Sequence, residues 1–132
     1  MSLNIVSIHH VAIICSDYSR SKHFYTEILG FEIISETYRA ERDSYKLDLR
    51  VGEKDQIELF SFLNRPARPS YPEARGLRHL AFAVDNLESQ ISKLTKHDIK
   101  VEPIRLDELT RQRFTFFQDP DGLPLELYEI VM

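Results

Sequence analysis

Apolar and β-branched residues run almost unbroken from Ile5 to Ile14, interrupted by Ser7 and two histidines, a length that suits a strand buried on both faces. The period then changes. Phe24, Tyr25, Ile28 and Leu29 form a helical stripe that predicts a helix over 17–29, with Asp17 or Ser19 as N-cap and Gly30 as its stop. Strands are expected at about 31–39, 45–51 and 56–62. Pro66, Pro69 and Pro72, interspersed with arginines, disfavour both helix and interior strand and mark a linker over 63–76. Beyond it the order recurs: a strand over 77–84 and a helix over 87–97 with Leu87, Ile91 and Leu94 on one face. Asp85 followed by Glu88 gives that helix a capping-box-like start. Strands at about 100–104, 111–117 and 124–131 complete the second half. Each half reads β-α-β-β-β, with module one at about 5–62 and module two at about 77–131.

The recurrence allows the halves to be compared directly. His9-His10-Val11-Ala12-Ile13 lies over Arg78-His79-Leu80-Ala81-Phe82, and Gln56-Ile57-Glu58-Leu59-Phe60 over Pro124-Leu125-Glu126-Leu127-Tyr128. His10 thus superposes on His79 and Glu58 on Glu126, each among apolar neighbours where an unpaired carboxylate is expensive to bury. Strand alternation turns Glu58 and Glu126 to the face opposite Ile57, Leu59, Leu125 and Leu127, whose side meets the helices. One such histidine or glutamate alone reads as an ordinary core or surface residue. Four in register across a repeat read as an N2O2 metal site, suited to an octahedral first-row divalent ion with two positions left for water or substrate.

Composition narrows the classes further. The 132 residues carry 17 Lys and Arg against 21 Asp and Glu, a net charge of −4, so there is no basic stripe and nucleic acid is not an expected partner. A chain this short makes a single domain over 1–132 built from both modules. One cysteine supplies neither an internal disulfide nor a thiolate metal cage. No stretch approaches a membrane span, and no signal-like start is present, so a cytoplasmic location without membrane association is expected. Cys15, with no basic neighbour in sequence, reads as a buried inert thiol.

At these residues the sequence resembles the vicinal oxygen chelate superfamily, and within it the glyoxalase I-like (lactoylglutathione lyase-like) branch. The likeness runs through His10-Val11-Ala12-Ile13, the Phe24-to-Phe31 helix end, Ile57-Glu58-Leu59, Gly76 to Phe82, and Phe117-Gln118-Asp119-Pro120-Asp121-Gly122 with the following aliphatic-Glu-aliphatic strand. It implies an α+β fold, two βαβββ modules in tandem whose mixed sheets form a cup, as in glyoxalase/bleomycin resistance/dioxygenase-like proteins. It also implies one divalent metal per site, nickel, cobalt or zinc, on His10, Glu58, His79 and Glu126. His9 is set aside, because strand parity turns it to the other face.

The implied reaction is that of a metal-dependent lyase or isomerase acting on the hemithioacetal of a 2-oxoaldehyde and a thiol, with Glu126 or Glu58 as the base and Glu126 favoured. A thiol transferase, a dioxygenase or a non-catalytic small-molecule-binding protein are the alternatives on the same scaffold. Arg39, Arg42, Arg75 and Arg113 are candidates to bind a substrate carboxylate. Arg113 is preferred, because it shares strand parity with Thr115 just before the Asp-Pro-Asp-Gly turn and is expected to project into the cup. The group Phe60, Phe62, Phe114, Phe116 and Phe117 reads as core or dimer contact. Modules of this kind pair within a chain or exchange between chains, and a homodimer is expected.

Overall fold

A computed structural model describes residues 3–62, 64–69 and 73–130. Pro72, in the expected linker, and residue 131, at the end of the last expected strand, lie outside the described residues. The chain divides into two compact units at Arg65/Pro66, inside that linker.

The first unit contains β1 (Val11–Cys15), α1 (Tyr18–His23), β2 (Glu32–Arg39), β3 (Ser44–Val51) and β4 (Asp55–Ser61), in the sheet order β1-β4-β3-β2. The pair β1/β4 is parallel and the others antiparallel. The second unit contains β5 (Leu80–Val84), α2 (Leu87–Lys96), β6 (Arg105–Leu106), β7 (Arg113–Gln118) and β8 (Pro124–Glu129), in the order β5-β8-β7-β6 with the same directions. The sequence repeat is therefore a repeat of topology. Its registers agree as well, with Ala12 opposite Glu58 and Ala81 opposite Glu126.

Each sheet buries its helix-side face. Ile13, Cys15, Leu47, Leu49, Ile57 and Leu59 are buried in the first unit, as are Phe24 and Tyr25. Thr115, Phe117, Leu125 and Leu127 are buried in the second with Leu87 and Leu94. Alternation along the strands then leaves Glu58 and Glu126 on the opposite faces, as the pattern predicts.

Four local differences from the sequence expectation have physical causes. The first strand begins at Val11 rather than Ile5. Its parallel ladder begins at Val11 opposite Ile57, so pairing and not the apolar run sets the end of β1, and Ile5, Val6 and Ile8 are 76%, 97% and 78% exposed. The first helix starts as expected, with Asp17 accepting from the Arg20 amide at 3.1 Å, but its second half, Phe24–Ile28, is a π-helical turn closed by Leu29 N–H on the Phe24 carbonyl at 2.9 Å. Gly30, at φ +79°, then turns the chain in the left-handed region where a Cβ is disfavoured.

The N-cap of α2 is Asn86, accepting from Ser89 N–H at 3.0 Å, one residue later than Asp85, and Glu88 is engaged by Arg113 instead. Finally, 100–104 does not form a regular strand. It is tied to β7 by Glu102 N–H on the Phe116 carbonyl at 2.9 Å and by Thr115 Oγ1 donating to the Glu102 carbonyl at 2.6 Å, before β6 pairs at Arg105.

Candidate metal centre

β4 and β8 deliver the two glutamates, and the residues just ahead of β1 and β5 deliver the two histidines. His10 and His79 each stand just ahead of the strand whose alanine lies opposite the glutamate, and in each unit ring and carboxylate meet. In the first unit His10 Nδ1 lies 3.4 Å from Glu58 Oε2. In the second, His79 Nε2 lies 3.0 Å from Glu126 Oε1. Both glutamates are 8% exposed, and a carboxylate that far from water needs a partner. The imidazole supplies one in each module.

The repeat is not perfect in chemistry. Opposite Glu58 on β3 is Asp48, and opposite Glu126 on β7 is Phe116. Glu58 accepts from Gln56 Nε2 at 3.1 Å and has the Lys46 ammonium at 3.8 Å, itself held by Asp48 at 2.7 Å. The wall beside Glu126 is aromatic, the Phe116 ring meeting His79 edge to face at 5.0 Å. Arg105 lies over Phe116 at 5.3 Å and over Phe114 at 5.1 Å. The same offset that aligns the glutamates sets Lys46 over Phe114 and Asp48 over Phe116, a polar wall over an aromatic one, a contrast legible at the positions where the two halves differ.

His9 differs from expectation. Because β1 begins at Val11, strand parity does not extend back to residues 9 and 10. The two rings are edge to face with their Nδ1 atoms 2.9 Å apart. His9, His10 and Glu58 offer ligand atoms within 4.8 Å of one another, so the first unit alone presents two imidazoles and a carboxylate. This nitrogen-and-oxygen donor set fits a first-row divalent ion.

Arg113 also departs from expectation. Register places it on the helix side of the sheet with Thr115, away from Phe116 and Glu126. Both edges of its guanidinium are occupied: Nη1 and Nη2 donate to Glu88 at 2.7 Å each, while Nε and Nη2 donate to Glu129 at 2.9 and 3.0 Å. Glu129 in turn accepts from the Leu87 N–H at 3.0 Å, so the cluster ties the start of α2 to β7 and β8. These bonds hold Glu88 down to about 2 and Glu129 below the usual carboxylate range, and push Arg113 up. Arg113 is therefore a clamp between helix and sheet. It shares parity with Thr115 as expected, but the face they share is the helix side and not the cup.

The aromatic group also divides. Phe117 is core, as expected, whereas Phe116 lines a cavity and Phe60 and Phe62 carry the Arg39 guanidinium at 5.0 and 5.7 Å. Cys15 is buried, with its thiol donating to the Phe60 carbonyl at 3.3 Å.

The Asp-Pro-Asp-Gly turn aims β8. Asp119 Oδ1 accepts from the amides of Asp121 and Leu123 at 2.9 Å each, and Gly122 at φ +84° closes onto the Asp119 carbonyl at 3.0 Å. Glu126 follows four residues later at a fixed phase of the strand. The family model described as the Glyoxalase/Bleomycin resistance protein/Dioxygenase superfamily matches residues 7–127, spanning both modules and this turn. The chain belongs to that superfamily.

Its relatives there include the uncharacterized protein YwkD of Bacillus subtilis, 61% identical over 93% of this chain and 96% of that one. A glyoxalase family protein from Enterococcus faecalis, of known crystal structure, is 53% identical over 93% of this chain and 97% of its own, with a TM-score of 0.86. A 2-epi-5-epi-valiolone epimerase from Actinomyces is 27% identical over 95% of this chain and 80% of its own. The described residues contain no helix long and apolar enough to cross a membrane.

Proposed function

We propose that this superfamily member is a divalent-metal-dependent lyase or isomerase of glyoxalase I type, acting on the hemithioacetal of a 2-oxoaldehyde and a thiol, with His10, Glu58, His79 and Glu126 as metal ligands. The observation that carries the reading is the repeated His/Glu pair, at 3.4 Å in one module and 3.0 Å in the other, on equivalent strands. Nickel, cobalt and zinc are the candidate ions. When bound, such an ion supplies Lewis-acid stabilisation to two adjacent substrate oxygens.

The protein's own part is to move a proton between neighbouring substrate carbons. Glu126 suits that role. Glu58 is pinned by the Gln56 amide and the Lys46 ammonium, whereas the Phe116 ring beside the His79–Glu126 pair has no N–H or O–H to pin the carboxylate. The same ring limits water near the proton in transit. His9 joins the donor cluster of the first module as a supporting imidazole.

A second reading, inversion at a carbon beside a carbonyl, is supported by the epimerase relative and uses the same proton abstraction. Elemental analysis of the purified protein, with a screen of hemithioacetals made from several cellular thiols, tests the proposal. A divalent ion together with isomerisation supports it. No metal affinity overturns it, while exchange of a substrate C–H with deuterated water without net isomerisation favours the epimerase. A homodimer in cytoplasm is the proposed setting, and a monomer by light scattering would contradict the dimer.

A further inference from the structure

Beside His79 the second unit holds a cavity of about 200 Å³, lined among others by Arg68, Arg78, Glu102, Arg105 and Phe116. Three guanidinium groups and two carboxylates, Glu73 and Glu102, line it, an excess of one positive charge. The three arginines are not equivalent. Arg78 Nε is spent on Glu73 at 2.7 Å. Arg105 gives one Nη to Glu102 at 3.2 Å and has its plane set by the rings of Phe114 and Phe116, which leaves other N–H groups of a rigid fork available. Arg68 donates through Nη2 to the Leu77 carbonyl at 3.0 Å, while its Nε is buried with no hydrogen-bond partner among the described residues. That Nε has no surface open to water, so what Arg68 brings to the cavity lining is its positive charge rather than this N–H.

We infer that the substrate of this site carries a carboxylate, received in the cavity beside His79 by Arg68 and Arg105. The inference rests on the metal-site reading above for where the reacting end of the substrate lies, but the anion pocket itself does not. A planar, singly charged carboxylate matches both the guanidinium fork and the single excess positive charge. Phosphate would bring nearly two charges against Glu73 and Glu102. Size argues for a small acid, since pockets for drug-sized ligands run to about 300–1,000 Å³. With the carboxylate at Arg105, whose platform Phe116 also touches His79, the other end of the molecule reaches the His79–Glu126 pair.

The test uses chelator-treated full-length protein labelled with ¹⁵N-arginine, titrated with succinate, its neutral isostere succinamide and inorganic phosphate. Saturable shifts of arginine Nε–H signals with succinate are expected, with affinity reduced at least tenfold in Arg68→Gln and in Arg105→Gln. The half-exposed Arg105 side chain makes the second variant safe for folding. Arg105→Lys, which keeps the charge and loses the fork, is expected to bind with an affinity between those of the parent and Arg105→Gln. Absence of saturation, equal binding of succinamide, tighter binding of phosphate, or unchanged affinity in both glutamine variants overturns the inference. Because no metal is present in this titration, a separate metal titration of the same sample reports failure of the metal-site reading independently.

Discussion

Thr115→Val removes one hydroxyl from the wall that carries Glu102 and Arg105. Thr115 is fully buried, and its Oγ1 donates to the Glu102 carbonyl at 2.6 Å. Valine matches the shape and adds no polar atom, so the substitution isolates the hydrogen bond from the packing. Leaving a buried acceptor unpaired costs about 1–3 kcal/mol, whereas the net worth of an ordinary hydrogen bond is about 0.5–1.5 kcal/mol. The bond is only partly buried, so the lower range applies: about 1 kcal/mol.

With an unfolding entropy of about 2.1 cal/mol/K per residue over 132 residues, that loss lowers Tm by about 3–4 °C. Thermal unfolding followed by far-UV circular dichroism measures the shift. Amide exchange adds a local readout, because Glu102 N–H donates to the Phe116 carbonyl at 2.9 Å and the two bonds hold the same segment. Its exchange should quicken in the variant while that of Leu125, in the centre of the sheet, follows global stability. A variant as stable as the parent, with Glu102 protection unchanged, would refute the view that this bond anchors the irregular edge beside the cavity.

Other outcomes follow from the same geometry. Leu125→Ala, at a fully buried position facing α2, should cost about 2–5 kcal/mol in urea unfolding. Arg113→Gln should lower stability at neutral pH. Glu88 and Glu129 have folded pKa values depressed below the unfolded value of about 4.3, so their contribution is present above that pH and lost as pH falls through the folded values, about 2 for Glu88. The gap between parent and variant should therefore close across that acid window, and a gap that stays constant down to the lowest pH would argue against the clamp. Glu126→Gln should weaken divalent-metal affinity at least tenfold in competition with a chromophoric chelator, with the metal-free protein still folded. Equal affinity would remove Glu126 from the ligand set.

The phase of the candidate glutamates could be read from the chain because it is local and periodic. An apolar-Glu-apolar strand has a fixed phase, so once Leu125 and Leu127 must meet a helix, Glu126 has one face left. The repeat then doubled the signal for His10 and Glu58. The failures occurred where phase is not enough. Arg113 shares parity with Thr115, which identifies its companions but not which side of the sheet they occupy. That side was decided by the docking of α2 and by two carboxylates on it, one of them from a different strand. His9 lies ahead of the ladder, so strand parity does not fix its face, and its ring sits beside that of His10. The ladder begins at Val11 opposite Ile57 although β4 itself starts at Asp55, so pairing and not the apolar run sets the end of β1.

By itself the sequence determined the two-module order, the register of the repeat, the buried faces and the four His and Glu candidates, all properties of spacing along the chain. Tertiary structure decided which donors surround each glutamate. Gln56 and Lys46 pin Glu58, an aromatic wall flanks Glu126, and the Arg68 and Arg105 guanidinium groups line the cavity beside His79. The reason is physical: a side chain's environment is made by cross-strand and loop neighbours that are distant in sequence, and their packing has no period to read.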